Sequence, residues 1–209
     1  MKQKKTGRRL LSFLLTLAMV VGLVPGMGIT AYADGSISYQ EASWNASKKA
    51  VEYTEKSVAD YIVVASNTTA FEDGKWYVVS ETLTNNNRIT VTGTANLILT
   101  DGATLTASKG ITVETGNTLN IYAQSAGTGA LTISSVDGSK AGIGGSGQGK
   151  SGGTVTINGG TVTATGGSGG AGIGGSETGG GTVRVNGGTV TATGGKGGAG
   201  IGGGWGGYG

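Results

Sequence analysis

The chain carries one segment in tandem near-copies: AGIGGSGQGKSGGTVTINGGTVTATGGSGG at 141–170, AGIGGSETGGGTVRVNGGTVTATGGKGG at 171–198, and AGIGGGWGGYG at 199–209. The copies begin at Ala141, Ala171 and Ala199, and the small difference in their lengths is confined to the loop after AGIGG. A period of about 30 residues means that successive copies stack on one another. Within each copy two five-residue runs alternate strictly: Thr154, Val155, Thr156, Ile157, Asn158, then, after Gly159 and Gly160, Thr161, Val162, Thr163, Ala164, Thr165. Alternation built on β-branched residues predicts half-buried strands, with Val155, Ile157, Val162 and Ala164 facing inward and the threonines outward. Ile173, in AGIGG, reads as the inward residue of a third short strand. The Gly-Gly pairs supply corners that need a positive φ or a missing Cβ. Three strands and three corners per period describe one coil of a right-handed parallel β-helix.

A single coil buries too few aliphatic side chains to offset the ordering of its own backbone, so the unit folds only when stacked. Stacking aligns valine with valine between copies and sets Asn158 over Asn186, as a ladder that braces the corner or as a plain turn preference of Asn. Residues 88–140 show the same alternation without the glycine excess, in runs such as RITVTG, ANLILTDG and NTLNIYAQ, and read as degenerate early coils. Residues 34–87 carry much of the charge and two of the three tryptophans, Trp44 and Trp76, and are expected to form a β cap that plugs the first coil. The third copy stops before its GTVTINGG part, as a fragment or truncated product would. Its open last coil predicts self-association.

Five of the 15 basic residues (Lys2, Lys4, Lys5, Arg8, Arg9) lie in the first nine positions, and an apolar run at 10–24 follows them. Pro25, small residues and Ala31-Tyr32-Ala33 come next, which is the order of a secretory signal peptide covering 1–33, with cleavage between Ala33 and Asp34. The apolar run is too short for a stable membrane span. From Asp34 onward 10 basic residues face 12 acidic ones, so no basic stripe exists to track a nucleic-acid backbone. With no Cys in the chain, stability outside the cell rests on packing and backbone hydrogen bonds.

Several motifs suggest chemistry. The stretch GGSGQGKS at 144–151 fits a phosphate loop at every position. That loop needs a buried strand before it and a helix after it, and SGGTVTINGG is among the poorest helix material available. Nearly half of the chain from Ala141 on is glycine, so only Lys150 and Ser151 carry information, and the next copy lacks the lysine. The dinucleotide-type match at Gly142, Gly144 and Gly147 falls on the same grounds. Calcium-binding Gly-rich coils need an Asp in every turn, and beyond Ala141 Glu177 is the one acid. Asp101, Glu114 and Asp137 are the acid and base candidates for a polysaccharide-cleaving site, and each also sits in a turn-like context. The outward threonine rows either form a flat array resembling ice-binding surfaces or reflect the strand preference of a soluble β-former. Trp205 and Tyr208 stand in the loop after AGIGG, where their faces either stack on sugar rings or pack the loop.

Taken together, LLTLAMVVGLVPG, AYAD, WYVVS, RITVTGTANLILTDGATLTASKGITV, LNIYAQSAGTGAL and the AGIGG repeats resemble exported Gly/Thr-rich repeat proteins of Gram-positive gut Clostridia. These are described as adhesin-like or carbohydrate-binding-domain-containing. The resemblance spans nearly the whole chain and implies a parallel β-helix that is secreted or wall-associated, with a polysaccharide or a host or cell-wall glycan as partner. It supplies no catalytic residues and no cofactor. The expected function is a structural or adhesive module, with a remnant polysaccharide lyase or hydrolase, or a passive spacer, as alternatives.

Overall fold

A computed structural model of the chain describes residues 35–134, 138–177 and 179–206. The expected signal peptide, Ala33, Asp34, Asp137 and Tyr208 lie outside them. Among the described residues every regular element is a strand and none is a helix. The first two, β1 (Ile37–Asn45) and β2 (Ala50–Val58), form an antiparallel hairpin. Then come β3 (Ile62–Val63), β4 (Ala70–Phe71), β5 (Trp76–Val79), β6 (Leu83–Asn85) and β7 (Ile89–Val91). They are followed by β8 (Thr94–Leu99), β9 (Thr104–Ala107), β10 (Ile111–Thr112), β11 (Thr118–Ala123), β12 (Ala130–Ser134) and β13 (Ile143–Gly144). The last six are β14 (Thr154–Ile157), β15 (Thr161–Thr165), β16 (Ile173–Gly174), β17 (Thr182–Val185), β18 (Thr189–Thr193) and β19 (Ile201–Gly202).

From β5 onward the chain visits three sheets in a fixed rotation. Sheet A holds β3, β5, β8, β11, β14 and β17; sheet C holds β6, β9, β12, β15 and β18; sheet B holds β4, β7, β10, β13, β16 and β19. Neighbours in B and C are all parallel, as are the rotation strands of A; the hairpin is antiparallel. Each rotation adds one strand to each sheet, and the added strand keeps its register while the length of chain between partners changes. Thr94 pairs with Thr118, Thr118 with Thr154, and Thr154 with Thr182, so three successive rotations of unequal length meet at the same rung position. Extra residues leave at the corners, where no ladder is disturbed.

Register turns the alternation into columns. In sheet B, Ile89, Ile111, Ile143, Ile173 and Ile201 stand one on another. In sheet C the inner column is Leu83, Leu105, Leu131, Val162 and Val190. In sheet A it is Tyr77, Leu97, Ile121, Ile157 and Val185. Side chains of all three sheets meet in one apolar core, where Val155, Ile157, Val162, Ala164 and Ile173 are buried as their alternation requires. Stacked like residues interdigitate without a size mismatch between rungs, which preserves close packing along the stack.

Parallel pairing begins earlier than residue 88: Ile62 pairs with Tyr77, and Phe71 with Val91. The hairpin lies against the outer side of sheet A. Tyr39 packs with Val78, Ile98 and Tyr122, and its ring sits 4.8 Å from those of Trp76 and Tyr122. Those outward residues are apolar where other outward positions of sheet A carry Thr, Asn and Arg184, which is the physical reason the hairpin settles on that flank. Farther along, Gln40 pairs with Ala123, and the Tyr53 ring rests against Gly187, where a Cβ would lie 2.5 Å from its hydroxyl.

Candidate functional site

The corner after each AGIGG strand is where the copies differ, and it is built on a constant frame. Gly144 ends β13, the chain loops out, and it returns through a bridge between Gly152 and Glu114 before entering β14. The loop is held from both sides. Ser146 Oγ donates to Glu114 Oε1 at 2.6 Å in the preceding rotation. From the following rotation, the buried Ser176 accepts the Lys150 N–H at 3.2 Å, and its hydroxyl points at the carbonyls of Gly147 and Lys150. Ser146 and Ser176 occupy the same place in AGIGGS, so each of these two copies clasps the corner of the rotation before it, whereas the third copy has Gly204 there.

Lys150 Nζ lies 3.8 Å from Glu114 Oε2, and both side chains are partly exposed, so the pair adds little stability. Glu114, Thr115, Gly149, Lys150 and Ser151 line an open hollow of about 300 Å³. The phosphate-loop match has strand β14 where that motif needs a helix, so the row of helix N-terminal amides that cradles phosphate is not formed at this position. Its lysine faces a carboxylate and its serine carbonyl accepts the Thr115 N–H at 3.3 Å.

At the equivalent corner of the last copy stands Trp205. Its backbone N–H donates to the Gly169 carbonyl at 2.8 Å, and its ring packs against Gly197, where a Cβ would come within 2.8 Å of Cδ1. Two glycine-rich turns thus leave room for the side chain, and Trp205 remains 66% exposed. The structure brings the other sequence candidates to different corners. Asp101, between β8 and β9, accepts the N–H groups of Ala126 at 3.0 Å and Thr128 at 3.3 Å, tying its turn to the next rotation. Glu114, after β10, is engaged as described.

Compared with known protein families, with curated proteins and with solved structures, the chain matches none. Geometry therefore carries the functional reading. Among the described residues no helix is long and apolar enough to cross a membrane, and no three acidic residues converge as a metal site would require.

The outer face of sheet C is regular and uncharged. Thr84, Thr106, Thr132, Thr163 and Thr191 form an unbroken column, flanked by Thr161 on Thr189 and Thr165 on Thr193. None of the five strands contains a charged residue.

Sequence reasoning missed one cross-brace. Arg88 Nε donates to Thr112 Oγ1 at 2.7 Å, Nη1 to the Lys109 carbonyl at 2.6 Å and Nη2 to the Ala141 carbonyl at 2.9 Å, so one guanidinium joins three rotations. These partners are distant in sequence, and no local pattern marks them.

Proposed function

We propose that the chain is a right-handed parallel β-helix, exported behind a signal peptide, that serves at the cell surface or outside the cell as a structural and adhesive module for glycans. The rotation through three sheets in constant register and the shared apolar core support the β-helix; the N-terminal charge and hydropathy pattern supports export. The observation that carries the binding reading is Trp205, whose ring packs against the backbone of Gly197 while most of the residue stays open. An aromatic face seated on glycine backbone offers a sugar ring a stacking platform at little conformational cost. The adhesive reading also follows from the frame: corners that change in sequence are displayed on strands that do not move in register.

A non-enzymatic role is part of this reading. Asp101 is spent on two backbone N–H groups and Glu114 on Ser146, and they sit at different corners, so neither is poised opposite the other as acid and base.

The test is a glycan array probed with the secreted chain and with Trp205→Ala. Binding to neutral polysaccharides that drops at least tenfold in the variant supports the reading. The absence of any glycan signal from folded protein, or a signal untouched by Trp205→Ala, contradicts it.

A further inference from the structure

The corner that holds Lys150 lies within the stack, with further rotations on both sides of it: β10 and Glu114 precede it, and Ser176 and Gly179 of the next copy close over it. Two departures from the repeat coincide there. Ile111 pairs with Ile143, Ile143 with Ile173 and Ile173 with Ile201, so Glu114 stands at the place that later rotations give to Ser146, Ser176 and Gly204. The loop facing it is longer than the loop of the next copy and carries Lys150, for which that copy has no counterpart. One carboxylate and one ammonium thus meet at a single corner of an otherwise repetitive frame.

We propose that the hollow lined by Glu114, Thr115, Gly149, Lys150 and Ser151 binds a neutral sugar unit through adjacent hydroxyls. For the class of ligand this rests on the glycan reading above, but the site is separate from Trp205 and takes nothing from it. Opposed charges select against ions: Glu114 Oε2 and Lys150 Nζ are 3.8 Å apart, so an anion drawn to the ammonium also meets the carboxylate, and a cation drawn to the carboxylate also meets the ammonium. That separation exceeds the ~2.7–3.2 Å of a direct hydrogen bond. An oxygen about 2.8 Å from both atoms fits beside the pair, with its two bonds near a right angle. A hydroxyl serves both partners at once, accepting from Nζ and donating to Oε2, and each bond is charge-assisted.

Much of the site is fixed before a ligand arrives. Glu114 Oε1 accepts from Ser146 Oγ at 2.6 Å, and Ser176 holds the Lys150 main chain through both its N–H and its carbonyl, which limits the ordering cost of binding. A hydroxyl on the neighbouring sugar carbon has the exposed Thr115 and Ser151 as partners on the lining. The volume of about 300 Å³ is at the lower end for ligand sites and suits one ring.

The test is a nuclear magnetic resonance titration of the isotope-labelled full chain with maltohexaose, cellohexaose and mannohexaose, and with oligogalacturonate and oligomeric glucosamine at matched concentrations. At least one neutral sugar should move the backbone amides of Thr115, Gly149 and Ser151, and each charged oligomer should move them at least fivefold less. Lys150→Met removes the ammonium but keeps the main chain that Ser176 holds; it should weaken the response about tenfold, the loss expected for one charge-assisted bond. If the amides of β11 and β12 show that this variant is misfolded, Glu114→Gln takes its place, since its amide oxygen still accepts from Ser146 Oγ. Trp205→Ala should leave the shifts at the hollow unchanged. Stationary amides at all three positions with every neutral sugar, a response untouched by the variant, or a larger response to the charged oligomers would each overturn the proposal. A sugar that moves the Trp205 indole N–H while the hollow stays still overturns it and leaves the Trp205 platform standing; the converse pattern overturns the platform alone.

Discussion

Gly174 lies in register between Gly144 and Gly202, and its φ of 136° belongs to a region that side chains rarely occupy. A Cβ there would fall 2.1 Å from the Gly202 carbonyl oxygen, backbone that cannot swing aside. Gly174→Ala is expected to cost about 3 kcal/mol or more, combining backbone strain with overpacking, read as a fall in the denaturant midpoint. Gly147→Ala is the contrast: the added methyl meets only Lys150 Cγ at 4.0 Å, so its cost should stay within about 0.5 kcal/mol. The Gly-Gly corners were readable in the repeats, yet which glycine is indispensable depends on the strand stacked above it. Tyr122 shows the same limit. It is buried under the hairpin, and that burial, with the negative charges of Tyr39 and Glu41 adding to it, pushes its hydroxyl from the usual value near 10 up to about 12. Because the folded state holds the proton more tightly than the unfolded chain, Tyr122 contributes its full stability below pH 10 and loses it as pH rises toward 12. Thermal unfolding should show a drop in Tm across that alkaline range that is smaller in Tyr122→Phe; an equal drop would show that other groups control alkaline stability.

At the scale of elements, alternation was enough to find β14, β15, β17 and β18, because inward and outward residues differ in kind at every step. Strands of two residues such as β4 and β10 give alternation nothing to act on; they exist because Phe71 and Ile111 find a column to join. Residues 34–87 are expected as a whole to form a β cap over the first coil, and the hairpin is one part of that region. The hairpin lies along the side of sheet A, because Val78, Ile98 and Tyr122 leave an apolar strip there, and strand patterns do not reveal which surface will need covering. Tyr39 is the anchor of that contact, with two aromatic neighbours at 4.8 Å. Removing it should cost about 3 kcal/mol, at the lower end of values for a buried aromatic truncated to alanine. Hydrogen exchange of Tyr39→Ala should lose protection across β1 and β2 while β11, β12 and β15 keep theirs; uniform loss through the molecule would mean the hairpin is integral to the stack and not a strap upon it.

Across the whole molecule, every rotation stacks in register whatever its length. The tandem copies made this legible from residue 141 on, where period and alternation agree. Before that, one rotation runs only from Trp76 to Asn96 and another stretches from Thr118 to Thr154, and a drifting period hides the repeat although the columns are unbroken. The candidate site was legible in part: the corner after AGIGG was readable as the place of variation, but the clasp by Ser176 and the seat of Trp205 on Gly197 arise from neighbouring rotations and have no signature within the loop. Methyl-to-methyl Overhauser contacts in protein labelled at Ile, Leu and Val test the stacking most directly, since adjacent rungs lie about 4.8 Å apart and alternate rungs about twice that. Cross-peaks should join Leu105 to Leu131, Leu131 to Val162 and Val162 to Val190, with none between Leu105 and Val162. Absence of the adjacent-rung peaks in folded protein, or peaks that skip a rung, would contradict the stacked fold.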